Sequence, residues 1–152
     1  MNLEVLGWSP EWQTSFSNQA GEGLLPARVC REDRGAYRIF TSQGEAQAEV
    51  SGKLRHQARS RIDYPSTGDW VAVEGHGTES RFIIHAIIPR RTAFVRRAAG
   101  EKAEEQAVAA NVDLAFLVCG LDHDFNLRRL ERYLTLAHAS GAMPVIVLNK
   151  AD

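Results

Sequence analysis

The 152 residues contain only two cysteines, Cys30 and Cys119, far apart and in no Cys-x-x-Cys pair. That excludes a disulfide scaffold and suits a chain whose thiols stay reduced, as in the cytoplasm. No apolar run comes near the roughly 20 residues needed to cross a bilayer. The amino-terminal MNLEVLGWSPEW has neither a basic start nor a long apolar stretch, so no secretory signal and no membrane association are expected. His56, His76, His85, His123 and His138 fall at no metal-ligand spacing and read as surface or satisfied histidines, so no metal site is expected here. No nucleophile–base arrangement is visible, and the chain offers no catalytic residues of its own. The phosphate loop Gly-x-x-x-x-Gly-Lys-Ser/Thr is also missing. The single Gly-Lys pair, Gly52-Lys53, is followed by Leu54 and cannot place a hydroxyl on Mg²⁺.

Charge is near balance overall, at −1, but unevenly spread. Residues 1–27 hold three acids and no Lys or Arg. Residues 28–102 hold 14 Lys and Arg against 9 Asp and Glu, a net +5, and residues 103–152 return to −3. A basic middle segment within a neutral whole points to a polyanionic partner for that segment. Lys53, Arg55, Arg59 and Arg61 cluster there, with His56 and Tyr64 interleaved. Cations for phosphates with an occasional stacking ring are what small barrels use on RNA, while a solvated charged loop is the plainer reading. Arg90, Arg91, Arg96 and Arg97 form a second group that either touches RNA or keeps its segment soluble.

The order of elements changes character along the chain. Ser9-Pro10-Glu11 signals a helix start, and Trp12 and Phe16 share one face, so residues 10–18 are predicted helical within an extension of residues 1–23. PARVCRE, GAYRIFTS, GEAQAEVSGKLR, GDWVAVEG and SRFIIHAII then read as five short strands with turn-like separators. Gly52 within the third run predicts a bulge. The predicted architecture over residues 24–90 is an all-β, five-stranded barrel of the OB type, with an SH3-like barrel as the alternative. Residues 91–109, charged and Ala-rich, are predicted to be a partly helical linker. From Ala110, the apolar run LAFLVCG, the amphipathic segment after Asn126 and the run VIVLN predict a βαβ unit with parallel strands.

That last strand ends in Asn149-Lys150-Ala151-Asp152. Guanine offers N1–H and an exocyclic amine side by side, and one carboxylate, Asp152, can accept from both. Lys150 can lay its methylene stem along a ring face. Asn149 can contact the base or tie neighbouring loops. The strand's carboxyl end is where ligands sit in open parallel sheets. The competing reading is a surface loop with Asp152 as a helix N-cap. Asp122 and Asp124 read as a polar loop.

Taken in order, GKLR, GDWV, IIPRRTAFVRR, AANVD and the βαβ unit ending in NKAD resemble the RsgA (YjeQ) family, the ribosome small-subunit-dependent GTPases. The likeness runs from about residue 24 to 152. Its anchors are Gly68-Asp69-Trp70-Val71, Pro89-Arg90, Ala110-Asn111-Val112-Asp113, Arg132-Tyr133-Leu134 and Asn149-Lys150-Asp152. The resemblance implies a circularly permuted GTPase domain, truncated here, with the phosphate loop downstream of the guanine motif. It implies GTP and Mg²⁺ for the full-length protein, zinc in a carboxyl-terminal module, and action in late assembly of the small (30S) ribosomal subunit, the barrel contacting ribosomal RNA. It also implies a monomer, and a 152-residue chain that hydrolyses no GTP by itself. A stand-alone RNA-binding barrel without nucleotide function is the alternative.

Overall fold

The structure is a computed structural model and describes residues 1–33, 35–75, 81–97, 104–123 and 125–150. Five strands close into a barrel: β1 (Leu25–Asp33), β2 (Ala36–Thr41), β3 (Gly44–Val50), β4 (Trp70–Gly75) and β5 (Arg81–Ile87). Their order is β1-β2-β3-β5-β4, β4 returning to β1. All pairs are antiparallel except β3 with β5. This OB-like closure follows from alternation. In β3, Ala46, Ala48 and Val50 point inward while Glu45, Gln47 and Glu49 face water. Register shifts between Val29 and Arg31 and between Ala72 and Val73 help the strands curve.

β4 breaks the alternation, with Trp70, Val71, Ala72 and Val73 all buried. Both of its faces are covered. Val71 and Val73 join the barrel core, whereas Trp70 and Ala72 pack outward against Trp12, Phe16 and Ile88. Trp12 and Phe16 come from helix α1 (Pro10–Gln19), which Ser9 caps by accepting from the Trp12 amide. A 3-10 turn over Leu3–Leu6 precedes it. The amino-terminal extension is thus a second layer on the barrel, and Trp8 meets Trp70 edge-on at 4.6 Å between ring centroids.

Two sequence expectations are corrected. Gly52 is not a bulge in β3. The strand ends at Val50, and Ser51 caps a short helix α2 (Gly52–Gln57) by accepting from the Leu54 amide. Leu54 packs on the barrel core, so the helix plugs the interval between β3 and β4. Among its described residues, 91–97 and 104–109, the Ala-rich stretch forms strands and not a partly helical linker, and residues 98–103 lie outside the described residues. Within it, β6 (Ala93–Arg97) and β7 (Glu105–Ala110) pair antiparallel. Alanine and glutamate favour helices in isolation, but here Ala107 and Ala110 are buried and the strand is bonded to the barrel. The Ser66 hydroxyl donates to the Ala107 carbonyl at 3.0 Å, and the Ala110 amide donates to the Thr67 carbonyl at 2.9 Å. Tertiary contacts override propensity.

The βαβ unit forms as its pattern requires. β8 (Leu114–Gly120) and β9 (Met143–Asn149) are parallel, joined by α3 (Leu127–Ser140). Asn126 caps α3 by accepting from the Arg129 amide, and Gly141 ends it in the left-handed region. Leu130 and Ala137 are buried beneath it, as is Cys119 of β8. The opposite face is bare: Phe116 and Val118 are each 64% exposed. Leu127, in the first turn of α3, is also exposed.

Candidate functional site

Asn149 closes β9 opposite Gly120 of β8. The chain then turns sharply, because Lys150 takes a left-handed backbone with φ 58°, uncommon for a residue with a Cβ. The turn carries the Lys150 ammonium to Asp122 in the loop after β8, where it donates to Oδ2. The Leu121 amide donates to the Asn149 carbonyl at 2.9 Å, tying the same two segments through the backbone. Asn149, Lys150 and Asp122 therefore meet at the carboxyl edge of the parallel pair, where open α/β sheets take ligands. Asp152 and Ala151 lie outside the described residues, as does Asp124. The Asp122–Lys150 pair was missed from sequence, where Asp122 read only as part of a polar loop.

The four basic candidates lie in one contiguous segment between β3 and β4. Lys53 and Arg55 stand exposed on α2, and Arg59 and Arg61 follow in the connection to β4. Arg61 lies 3.9 Å from the Glu32 carboxylate in an exposed, loose pair, while Lys53 and Arg55 have no ion pair among the described residues. The connection is built on Asp63. Its carboxylate accepts from the Arg59 and Ser60 amides, both at 2.9 Å, and these bonds hold its pKa below the ordinary carboxylate value. Two arginines on β1 and β2 are instead neutralised. Arg38 pairs with Glu45 and Arg31 with Asp33, each at 2.8 Å. Unspent positive charge thus gathers on α2 and the turn after it rather than on the outer face of β2 and β3.

The second arginine group divides. Arg90 is structural: its guanidinium forks onto Asp69, Nε to Oδ1 at 2.9 Å and a terminal nitrogen to Oδ2 at 2.8 Å. It also donates to the Ile62 and Tyr64 carbonyls at 2.9 Å. Arg91 stacks 4.2 Å above the Trp12 ring and pairs with Glu11 at 2.8 Å. Arg96 and Arg97 remain exposed on β6.

Around Asp69 and Arg90 lies the joint between the barrel and the segment leading to β8. Asn111, with φ 55°, accepts from the Arg91 amide at 2.9 Å and donates its side-chain amide to the Gly68 carbonyl at 3.1 Å. Arg28 crosses the same junction, donating to the carbonyls of Leu6, Gly68 and Asn111. Burial pulls the Arg28 pKa down, and the nearby Asp113 carboxylate opposes this. Gly68 has φ 93°, and a Cβ there would collide with the Ala110 carbonyl. The GDWV, PR and AANVD anchors are therefore parts of one joint.

The sequence model of the RsgA GTPase family matches residues 87–152. The small ribosomal subunit biogenesis GTPase RsgA of Opitutus terrae is 48% identical over 160 residues, covering 100% of this chain and 44% of that protein. Its namesake from Syntrophotalea carbinolica is 45% identical over 159 residues, covering 100% and 43%. The chain belongs to the RsgA family. It spans less than half the length of these relatives and corresponds to their amino-terminal part. The fold agrees. YloQ, a circularly permuted GTPase, superposes with a TM-score of 0.65 at 20% identity, over 86% of this chain and 42% of that one. YjeQ from Thermotoga maritima gives 0.66 at 21%, over 85% and 42%. The RsgA GTPase match begins at Ile87, so it takes in Arg90 and the β6–β7 hairpin as well as the βαβ unit.

Proposed function

We propose that this chain is the amino-terminal part of a cytoplasmic GTPase acting in maturation of the small ribosomal subunit. Asn149, Lys150 and Asp152 read the guanine of GTP. Lys53, Arg55, Arg59 and Arg61 bind ribosomal RNA phosphates. The observation that carries the nucleotide half is a parallel strand whose carboxyl end delivers Asn149 and Lys150 to an open sheet edge, in a chain 48% identical to a biogenesis GTPase. The observation that supports the RNA half is the exposed, largely unneutralised charge on α2 and the turn after it.

In this reading the GTPase domain is circularly permuted, so the guanine motif precedes the phosphate loop. Among the described residues no group of three His, Cys, Asp or Glu side chains converges on a metal position. Mg²⁺ would be held with the triphosphate by downstream residues, and zinc by a carboxyl-terminal module. The 152 residues alone would bind guanine weakly and turn over no GTP.

The test uses the full-length gene product. Asp152→Asn exchanges an acceptor for a donor where guanine presents its exocyclic amine and xanthine presents a carbonyl. It should cost about a hundredfold or more in GTP preference over XTP, since a site built around specific hydrogen bonds rejects a mismatched partner strongly. Unchanged GTP preference would refute the guanine reading. Replacing Lys53, Arg55, Arg59 and Arg61 by Ala should lower affinity for the small subunit and flatten its salt dependence, by about 0.7–0.9 in log–log slope for each lost phosphate contact.

A further inference from the structure

The geometry points to Asp122 as a positioning residue for the guanine reader, one that fixes Lys150 and so sets the affinity for the nucleotide. The inference rests on the guanine reading above. Four observations converge. The Lys150 ammonium donates to Asp122 Oδ2, so the lysine is turned toward the β8 loop. Lys150 itself adopts φ 58°, a conformation that side chains with a Cβ rarely take, and the contact helps to explain why the chain holds it. The Leu121 amide bonds to the Asn149 carbonyl, so the carboxylate and the ammonium hang from two backbones already fastened together. Finally, Gly120 leaves the space the carboxylate occupies. A Cβ at position 120 would stand 3.0 Å from Asp122 Oδ1.

Folding stability does not account for this arrangement. The Lys150 side chain is 64% exposed and that of Asp122 33%, and ion pairs so open to water contribute little to a fold. What the pair does is restrict a long, flexible side chain to one direction along the sheet edge. A lysine whose head is tethered lays its methylene stem on a fixed line. The stem is the part that can cover a purine face, and pre-ordering it removes rotamer entropy that binding would otherwise have to remove. The pair acts in the free protein and in the complex alike, so its loss should weaken ground-state and transition-state binding equally.

The experiment is steady-state GTP hydrolysis by the full-length protein, stimulated by small subunits, with Asp122→Ala and Asp122→Asn beside Asp152→Asn. Asp122→Ala should raise KM for GTP by about three- to tenfold with kcat unchanged, the scale of immobilising one long side chain on binding. Asp122→Asn keeps an oxygen acceptor and should recover most of the loss. Thermal unfolding of both variants should match the parent within about 2 °C, as expected of an exposed pair. KM for GTP unmoved in Asp122→Ala overturns the inference, as does a fall in kcat with KM unmoved. The two readings separate cleanly. If Asp152→Asn shifts preference to XTP while Asp122→Ala is silent, only the role of Asp122 falls. If Asp152→Asn leaves GTP preference intact, both fall.

Discussion

Replacing Arg90 by Met should unfold the barrel at a markedly lower temperature. Asp69 is fully buried, and the Arg90 side chain is 16% exposed. The Asp69 carboxylate accepts twice from Arg90 and once from the Ser66 amide at 2.7 Å. Removing the guanidinium leaves a buried carboxylate without its counter-charge and strips donors from the Ile62 and Tyr64 carbonyls. Breaking a buried pair from one side costs about 3–5 kcal/mol. In a chain of this size that is a drop of about 6–20 °C in Tm. Arg90→Lys keeps the charge but cannot fork, and should fall between. The double change Asp69→Asn with Arg90→Met should be less damaging than the sum of the single changes, because the stranded charge is gone. The assay is thermal unfolding followed by far-ultraviolet circular dichroism. A Tm for Arg90→Met within about 3 °C of the parent, or additive single changes, would refute the reasoning.

Gly68→Ala should loosen the joint. It meets a positive φ, which costs about 1 kcal/mol or more for a side chain with a Cβ, and it meets the Ala110 carbonyl. Amide hydrogen exchange at Ala110 and Asn111 should accelerate well before that of the barrel strands. Tyr37 should titrate late, since burial, with smaller contributions from nearby acidic groups, pushes its phenol up to about 12. Its folded pKa exceeds the ordinary value near 10, so the stability tied to the neutral phenol is complete below about pH 10 and is lost as pH rises toward 12. Absorbance at 295 nm against pH checks this, and phenol ionisation already complete by about pH 11 would contradict it.

Much of the fold was legible because its signals are local. Ser9-Pro10 set the start of α1, turn residues marked the barrel strands, and the change from two-residue to helical spacing announced the βαβ unit. The errors arose where distant contacts decide. Nothing in SGKLR reveals that Leu54 will be drawn onto the barrel core, making a helix where alternation suggested a bulge. Nothing in EKAEEQAVAA reveals that Ser66 and Thr67 will supply partners to a strand some forty residues away. The site divided along the same line. That Asn149-Lys150 would stand at the end of a parallel strand is a contiguous pattern and could be read. The pairing of Lys150 with Asp122, 28 residues earlier, appears only once two parallel strands are in register. Among the four arginines from 90 to 97, spacing could not separate the buried Arg90 from the exposed Arg96 and Arg97.

The joint bears on how the two halves of the proposed function could communicate. Arg90 is bonded to Ile62 and Tyr64, which end the turn carrying Arg59 and Arg61. Its neighbour Arg91 is bonded through its amide to Asn111, and Thr92 exchanges hydrogen bonds with Val112, next to the start of β8. A short path of buried or half-buried polar contacts therefore runs from the basic turn to the strand pair that ends at Lys150. A flexible hinge would show few such bonds, and domains joined by slender linkers move independently by default. Here a fully buried carboxylate, a left-handed Asn111 and a glycine with no room for a Cβ all fix one geometry. Such a joint transmits a rigid displacement instead of absorbing it. The physical test of coupling is whether both ends bias the same element. Weakening the joint with Gly68→Ala, while leaving Lys53 and Lys150 untouched, should then reduce stimulation of GTP hydrolysis by the small subunit more than it reduces basal hydrolysis. Equal losses in both rates would mean that the joint only holds the fold together.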